Sequence, residues 1–280
     1  MPALDTISKY IHPMFPVPTD IFPRGSLNKK IRCILFDIYG TLFISESGDI
    51  SLAKNKSNKI EEINSLLKKF KFNKNPEAVL EKYFYLIEQK HVQLKAQGIK
   101  FPEVEIDKIW ISVLEINDHA AIKKFAIEFE LIINPVYPMP NLKKMLDFCI
   151  KSDLQIGIIS NAQFYTKYLF KCFLGSYPDE LGFNSEIIIY SYNFGHGKPS
   201  MLLFKYAADR LKQKNIKPES VLYVGNDMLK DIYPAKKAGF KTALFAGDKR
   251  SLRLRKDNPL CKNLSSDIVI TDLFQIIEYL

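Results

Sequence analysis

The chain has 280 residues, 47% hydrophobic and 25% charged, with a formal net charge of +9. That length buries a sizeable core in one large or two smaller domains. No apolar run approaches the roughly 20 residues of a membrane span, and no basic segment followed by an apolar run opens the chain as in a signal peptide, so a cytoplasmic location is expected. Of the 40 basic residues 34 are lysine, spread over polar helix faces as on a solvated surface. The densest basic run, Lys249 to Lys256, lacks interleaved aromatics, which argues for a solvated loop or a rim that attracts an anionic substrate and against a nucleic-acid partner. Cys33, Cys149, Cys172 and Cys261 match no zinc spacing and read as reduced, mostly buried thiols.

In chain order, residues 1–29 hold five prolines and little apolar periodicity, an irregular arm. Cys33-Ile34-Leu35-Phe36 is a short apolar run of the kind that forms a buried strand. Residues 46–138 differ. Ile60, Ile63, Leu67 and Phe70 recur at helical spacing, as do Val79, Tyr83, Leu86 and Ile87 after an Asn75-Pro76 start signal. The series Ile106, Ile109, Trp110, Val113, Leu114 and the series Ile122, Phe125, Ala126, Phe129 repeat the pattern, so four amphipathic helices form a bundle. Trp110 at that spacing is a core residue, whereas the Phe101-Pro102-Glu103 loop can approach a site. From about residue 140, apolar runs at 154–159, 186–190, 220–224, 241–245 and 267–270 alternate with helical patterns at 141–151, 163–173, 200–212, 231–239 and 272–279. Alternation of this kind predicts βαβ units and a mainly parallel sheet. The expected fold is α/β, a Rossmann-like core of residues 1–45 and 139–280 with an inserted α-helical domain at 46–138.

Four segments carry chemistry. Phe36-Asp37-Ile38-Tyr39-Gly40-Thr41-Leu42 puts an aspartate just past a strand, at the rim where open α/β sheets place their ligands. A carboxylate held there can act as a nucleophile, with a turn glycine and the Thr41 hydroxyl beside it. Ile156-Gly157-Ile158-Ile159-Ser160-Asn161 ends a second buried strand in a hydroxyl and an amide. Gly195-His196-Gly197-Lys198-Pro199 sets a lysine in a loop before a helix. Val221-Leu222-Tyr223-Val224-Gly225-Asn226-Asp227 is a third strand, and Asp231 follows. Together and in this order they resemble the motifs of the haloacid dehalogenase (HAD) superfamily of hydrolases, over roughly residues 30–45 and 140–250. The resemblance implies aspartate-based hydrolysis and a helical cap, inserted after the first motif, that closes over the aspartate and chooses the substrate.

By that resemblance Asp37 is the nucleophile and Ser160 hydrogen-bonds a transferring phosphoryl oxygen. Asn161 orients substrate or shapes its turn, and Lys198 offsets negative charge. Asp37, the backbone carbonyl of Tyr39, Asn226, Asp227 and Asp231 are the candidate Mg²⁺ ligands, of which one or two carboxylates suffice beside the substrate phosphate. Asn226 stands where the family usually has an aspartate, so either Asn226 or Asp227 reaches the metal. Tyr39 replaces the second aspartate that serves HAD phosphatases as general acid and base, help worth about 10²–10⁴-fold. The expected function is Mg²⁺-dependent hydrolysis of a small phosphorylated, anionic metabolite by a monomer or homodimer without nucleic-acid or membrane partners. Two alternatives stand beside it. Tyr39 also resembles the first motif of the metal-independent 2-haloacid dehalogenases, but those hold the leaving halide with an arginine soon after the nucleophile, and this chain has none between Arg32 and Arg210. A metabolite-binding protein with faded catalysis is the other.

Overall fold

The computed structural model describes residues 7–46 and 59–280. The strands are β1 (Arg24–Gly25), β2 (Cys33–Phe36), β3 (Phe43–Ser45), β4 (Val136–Pro138), β5 (Gln155–Ser160), β6 (Phe183–Tyr190), β7 (Val221–Gly225), β8 (Lys241–Phe245) and β9 (Ile268–Ile270). Seven of them form one sheet in the order β1-β9-β8-β7-β2-β5-β6. Its pairings are parallel except at the edge, where β1 runs antiparallel to β9. Every residue of β2 and β7 is buried, as expected of strands covered by helices on both faces. From β2 the chain moves outward to β5 and β6, then returns to β7 on the opposite side of β2. The reversal opens a crevice at the carboxyl ends of β7, β2 and β5, the place where doubly wound sheets bind ligands.

The helices are α1 (Ile60–Lys69), α2 (Pro76–Ala96), α3 (Ile106–Leu114), α4 (His119–Ile133), α5 (Leu142–Lys151), α6 (Thr166–Leu174), α7 (Ser191–Phe194), α8 (Met201–Gln213) and α9 (Tyr233–Lys237). The first four lie between β3 and β4, where the apolar spacing put them. The Asn75 side chain accepts from Ala78 N at 2.8 Å to start α2, and Asp118 accepts from Ala120 N and Ala121 N to start α4. Their shared core is aromatic. Trp110 stacks on Tyr83 with centroids 4.4 Å apart and meets Phe125 and Phe129 edge-on at 4.9 and 4.6 Å. The first part of the predicted insert, residues 47–58, lies outside the described residues.

Three expectations change. The arm is not wholly irregular, because it ends in β1. Ahead of β1, Ile7 is fully buried, Tyr10 OH donates to Glu128 Oε2 at 2.6 Å, and Thr19 Oγ1 donates to Ala246 O at 2.7 Å. Prolines removed periodicity from this segment without removing its contacts. The basic run is not a solvated loop. Arg250 binds Asp248 and the Phe15 carbonyl, Arg253 donates to Arg250 O and Leu252 O, and Arg255 binds Asp227. The helix expected at 231–239 starts early, as a π turn at Met228–Ile232, and passes into α9. The antiparallel pair β3–β4 was not foreseen. Each of these strands has only three residues, and about ninety residues separate them, so no local turn announces the pairing.

Candidate active site

Asp37 follows β2 directly and its backbone N donates to Val224 O at 2.9 Å, which fixes the carboxylate at the end of the central strands. It is buried. Ser160 Oγ, at the end of β5, donates to Asp37 Oδ1 at 2.8 Å, and Lys198 Nζ reaches the same oxygen at 2.6 Å. The second oxygen, Oδ2, accepts from no described residue. The two donors therefore orient the carboxylate and leave one oxygen for chemistry.

Lys198 is buried and uses all three ammonium protons, on Asp37 Oδ1, on Asp231 Oδ1 at 2.5 Å and on Tyr223 OH at 3.2 Å. Burial alone would lower its pKa, but Asp231 and Asp37 outweigh that and hold it above the usual lysine value. Burial pushes Asp231 up to about 7, against the pull of Lys198, with Asp37 and Asp227 adding to the rise. The loop that carries the lysine is tied to β5 by Asn161, whose Oδ1 accepts from Lys198 N at 2.6 Å.

Asn226, Asp227 and Asp231 are drawn to the same crevice, with different engagements. Asp227 Oδ1 accepts from Leu229 N and Lys230 N and so caps the π turn, while Oδ2 takes Arg255 Nη2 at 2.6 Å. Asp231 Oδ2 accepts from Asp227 N at 2.9 Å. Gly225 is required beside it, since a Cβ there would lie 2.4 Å from Asp231 Cγ. Asn226 donates to Ser251 O at 2.6 Å, and its side-chain oxygen has only a long 3.4 Å contact from Thr41 Oγ1. Gly40, with φ +82°, lets the first motif's turn close against this amide, because a Cβ would lie 2.5 Å from Asn226 Nδ2. The Tyr39 hydroxyl is engaged with Thr166, 2.9 Å from its Oγ1. Burial, reinforced by Glu130, pushes its pKa far above the usual tyrosine value, so it stays protonated.

A cavity of about 70 Å³ is lined by Asp37, Tyr39, Lys198, Asn226, Arg253 and Arg255. A larger one of about 480 Å³ adjoins it through Tyr39 and Lys198 and runs under α2 and α4. The Phe101-Pro102-Glu103 loop does reach this site. Gly197 N donates to Phe101 O at 2.8 Å, Glu103 N to Gly195 O at 3.0 Å, and Ser191 Oγ to Glu103 Oε2 at 2.8 Å. Gln163 adds a further stitch, accepting from Ile106 N and donating to Val104 O.

Tyr223, Arg255 and Glu130 escaped the sequence. Tyr223 sits inside an apolar strand run that gives no hint of a hydroxyl aimed at Asp231, 3.0 Å away. Arg255 was visible only as part of the basic run. Glu130 occupies a position in α4 that periodicity reads as one more turn of helix.

The family model for haloacid dehalogenase-like hydrolases matches residues 31–239. The chain belongs to that family and is a hydrolase. The fold is similar to that of a 2-haloacid dehalogenase from Pseudomonas syringae pv. Tomato DC3000, with a TM-score of 0.53 at 17% identity over 89% of this chain and 97% of that one. It is also similar to a HAD phosphatase from Thermococcus onnurineus, TM-score 0.50 at 16% identity over 89% of this chain and 97% of that one. In sequence, 105 residues are 34% identical to a glyceraldehyde 3-phosphate phosphatase of Methanocaldococcus jannaschii. This match spans 38% of the chain and 42% of that relative, less than half the length of either.

Proposed function

We propose that this hydrolase acts on a small phosphorylated metabolite, moving the phosphoryl group first to Asp37 and then to water. The observation that carries the reading is the asymmetric holding of Asp37, with Oδ1 bound by Ser160 and Lys198 and Oδ2 accepting from none of the described residues. Oδ2 forms a bond to phosphorus as the ester P–O bond breaks, and water later breaks the acyl-phosphate and restores the carboxylate. Ser160 and Lys198 keep the nucleophile aimed, and the Lys198 ammonium places positive charge beside the point where phosphoryl charge develops. Asn161 positions the lysine loop, and Tyr223 with Asp231 keeps the ammonium in place. Residues 46–138 act as the cap, pinned to the core through Glu103 and Gln163. The partial match to a relative named as a phosphatase supports the same substrate class.

Mg²⁺ fits the donor set. The side-chain oxygen of Asn226 is open to a hard cation, Asp37 and the Tyr39 carbonyl would join it as the family resemblance implies, and Mg²⁺ needs few protein ligands. Asp227 and Asp231 spend their oxygens on Arg255, Lys198 and backbone N–H groups, so they support the site from behind. When bound, the ion would neutralise charge on the phosphoryl oxygens. Tyr39, held protonated and turned to Thr166, is a poor proton shuttle, so the leaving alkoxide takes its proton from solvent and activated esters react fastest.

Hydrolysis of p-nitrophenyl phosphate, with and without Mg²⁺, by the wild type and by Asp37→Asn tests the reading. Mg²⁺-dependent turnover that disappears in Asp37→Asn is expected. Halide release from 2-haloacids without Mg²⁺, and no phosphate release, would overturn it.

A further inference from the structure

The large cavity holds a carboxyl group that the chemistry above leaves unused. Glu130, near the end of α4, is 9% exposed and lines the cavity of about 480 Å³ with Tyr39, Tyr165 and Lys198. Its partners are neutral: Asn134 Nδ2 at 3.4 Å and the Tyr165 hydroxyl. Among the described residues no cation pairs with it. A contact of 3.4 Å is at the outer edge of a hydrogen bond, and a carboxylate offers about four acceptor sites.

Two residues earlier on the same helix the contrast is direct. Glu128, 1% exposed, receives Lys69 Nζ at 2.5 Å and Tyr10 OH at 2.6 Å. One buried acid thus receives an ammonium and a hydroxyl, both on Oε2, on the side away from the cavity, whereas the one in the cavity wall has neutral partners alone among the described residues. A buried carboxylate short of donors costs free energy and calls for a specific explanation. A second polar atom of the same wall shares its condition, for His91 Nε2 is buried without a partner among the described residues. Tyr39, Asn161 and Lys198 line both the large cavity and the small one at Asp37, so the space beside Glu130 adjoins the space beside the nucleophile.

Resting on the phosphomonoester reading, we propose that Glu130 is a specificity-determining residue that accepts a hydrogen bond from a hydroxyl or ammonium group on the alcohol part of the substrate. The enzyme would then prefer phosphate esters of hydroxylated or amino alcohols over those of plain alkyl alcohols. A site built around a substrate donor rejects the analogue that lacks it, by about 10⁴-fold in the strongest cases. For a single contact a ratio of about 10- to 100-fold is expected.

The test compares kcat/KM for glycerol phosphate and phosphoethanolamine with that for propyl phosphate, in the wild type, Glu130→Gln and Glu130→Leu. A wild-type preference of tenfold or more for one of the first two esters is expected, and which of the two is preferred identifies hydroxyl or ammonium. Glu130→Leu should bring the ratio close to one, with Glu130→Gln in between. A wild-type ratio near one, or a ratio that survives both substitutions, overturns the proposal. Should the wild type hydrolyse none of the three and release no phosphate from p-nitrophenyl phosphate either, the phosphomonoester reading falls separately. Calorimetric titration of the same esters still decides the role of Glu130, since equal Kd values for glycerol phosphate, phosphoethanolamine and propyl phosphate overturn it.

Discussion

The crevice at the ends of β7, β2 and β5 and the bundle of α1–α4 are held together by different physics. In the crevice Lys198 joins Asp37, Asp231 and Tyr223 through bonds of 2.5–3.2 Å, all buried. In the bundle Tyr83, Trp110, Phe125 and Phe129 pack ring against ring. The crevice trades stability for a set of charges in fixed positions, since desolvating ions costs more than comparable apolar packing. The bundle does the reverse and gains from each ring it buries. Disturbing the first should therefore change chemistry more than stability, and disturbing the second should change stability more than chemistry.

The largest expected effect is in the crevice. Asp37→Asn should reduce turnover on the order of 10⁴-fold or more, while unfolding stability shifts by about 1 kcal/mol or less because Lys198 keeps Asp231. Paired kinetic and urea-unfolding measurements check both halves, and a variant that unfolds in proportion to its lost activity contradicts the contrast. In the bundle, Trp110→Ala should cost about 3–5 kcal/mol through the cavity it leaves. Trp110 is the only tryptophan, so in the wild type its fluorescence follows the bundle alone, and comparison with far-ultraviolet circular dichroism shows whether bundle and sheet unfold together. Lys198→Met combines the two behaviours. It strands two buried carboxylates and should cost about 3 kcal/mol as well as activity, with the loss easing at acid pH as Asp231, already raised by burial, protonates; a loss independent of pH would sink this account. The smallest effect belongs to the strap between arm and bundle. Tyr10→Phe removes one hydrogen bond to Glu128 and should cost about 1 kcal/mol, read as a small fall in Tm with turnover of p-nitrophenyl phosphate unchanged.

Much of the sheet was legible in the sequence because buried parallel strands are short continuous apolar runs, as in Cys33–Phe36 and Val221–Gly225. The bundle was legible because 3.6-residue periodicity survives in a helix with one wet face. Asp37, Ser160 and Lys198 were legible as motifs, since each follows a strand or turn that dictates its place. What escaped lacked a local period. The β3–β4 pair joins residues far apart in the chain, and the Pro-rich arm makes its contacts through single side chains such as Tyr10 and Thr19. Arg255 looked like one more surface charge until the fold brought it to Asp227.

By itself the sequence determined a parallel sheet with a helical insert, an aspartate at the strand ends, and a lysine and a second acidic pair to surround it. These follow from rules that act within a few residues: side-chain period, turn chemistry and the strand end. Only the tertiary structure decided which atoms of that set stay free. It assigned Asp227 to Arg255, turned Tyr39 to Thr166, left Oδ2 of Asp37 without a donor among the described residues, and separated Glu128, paired with Lys69, from Glu130 in the cavity wall. Availability is set by partners that arrive from distant parts of the chain, because a buried polar atom is free for chemistry only when no other group has come close enough to use it.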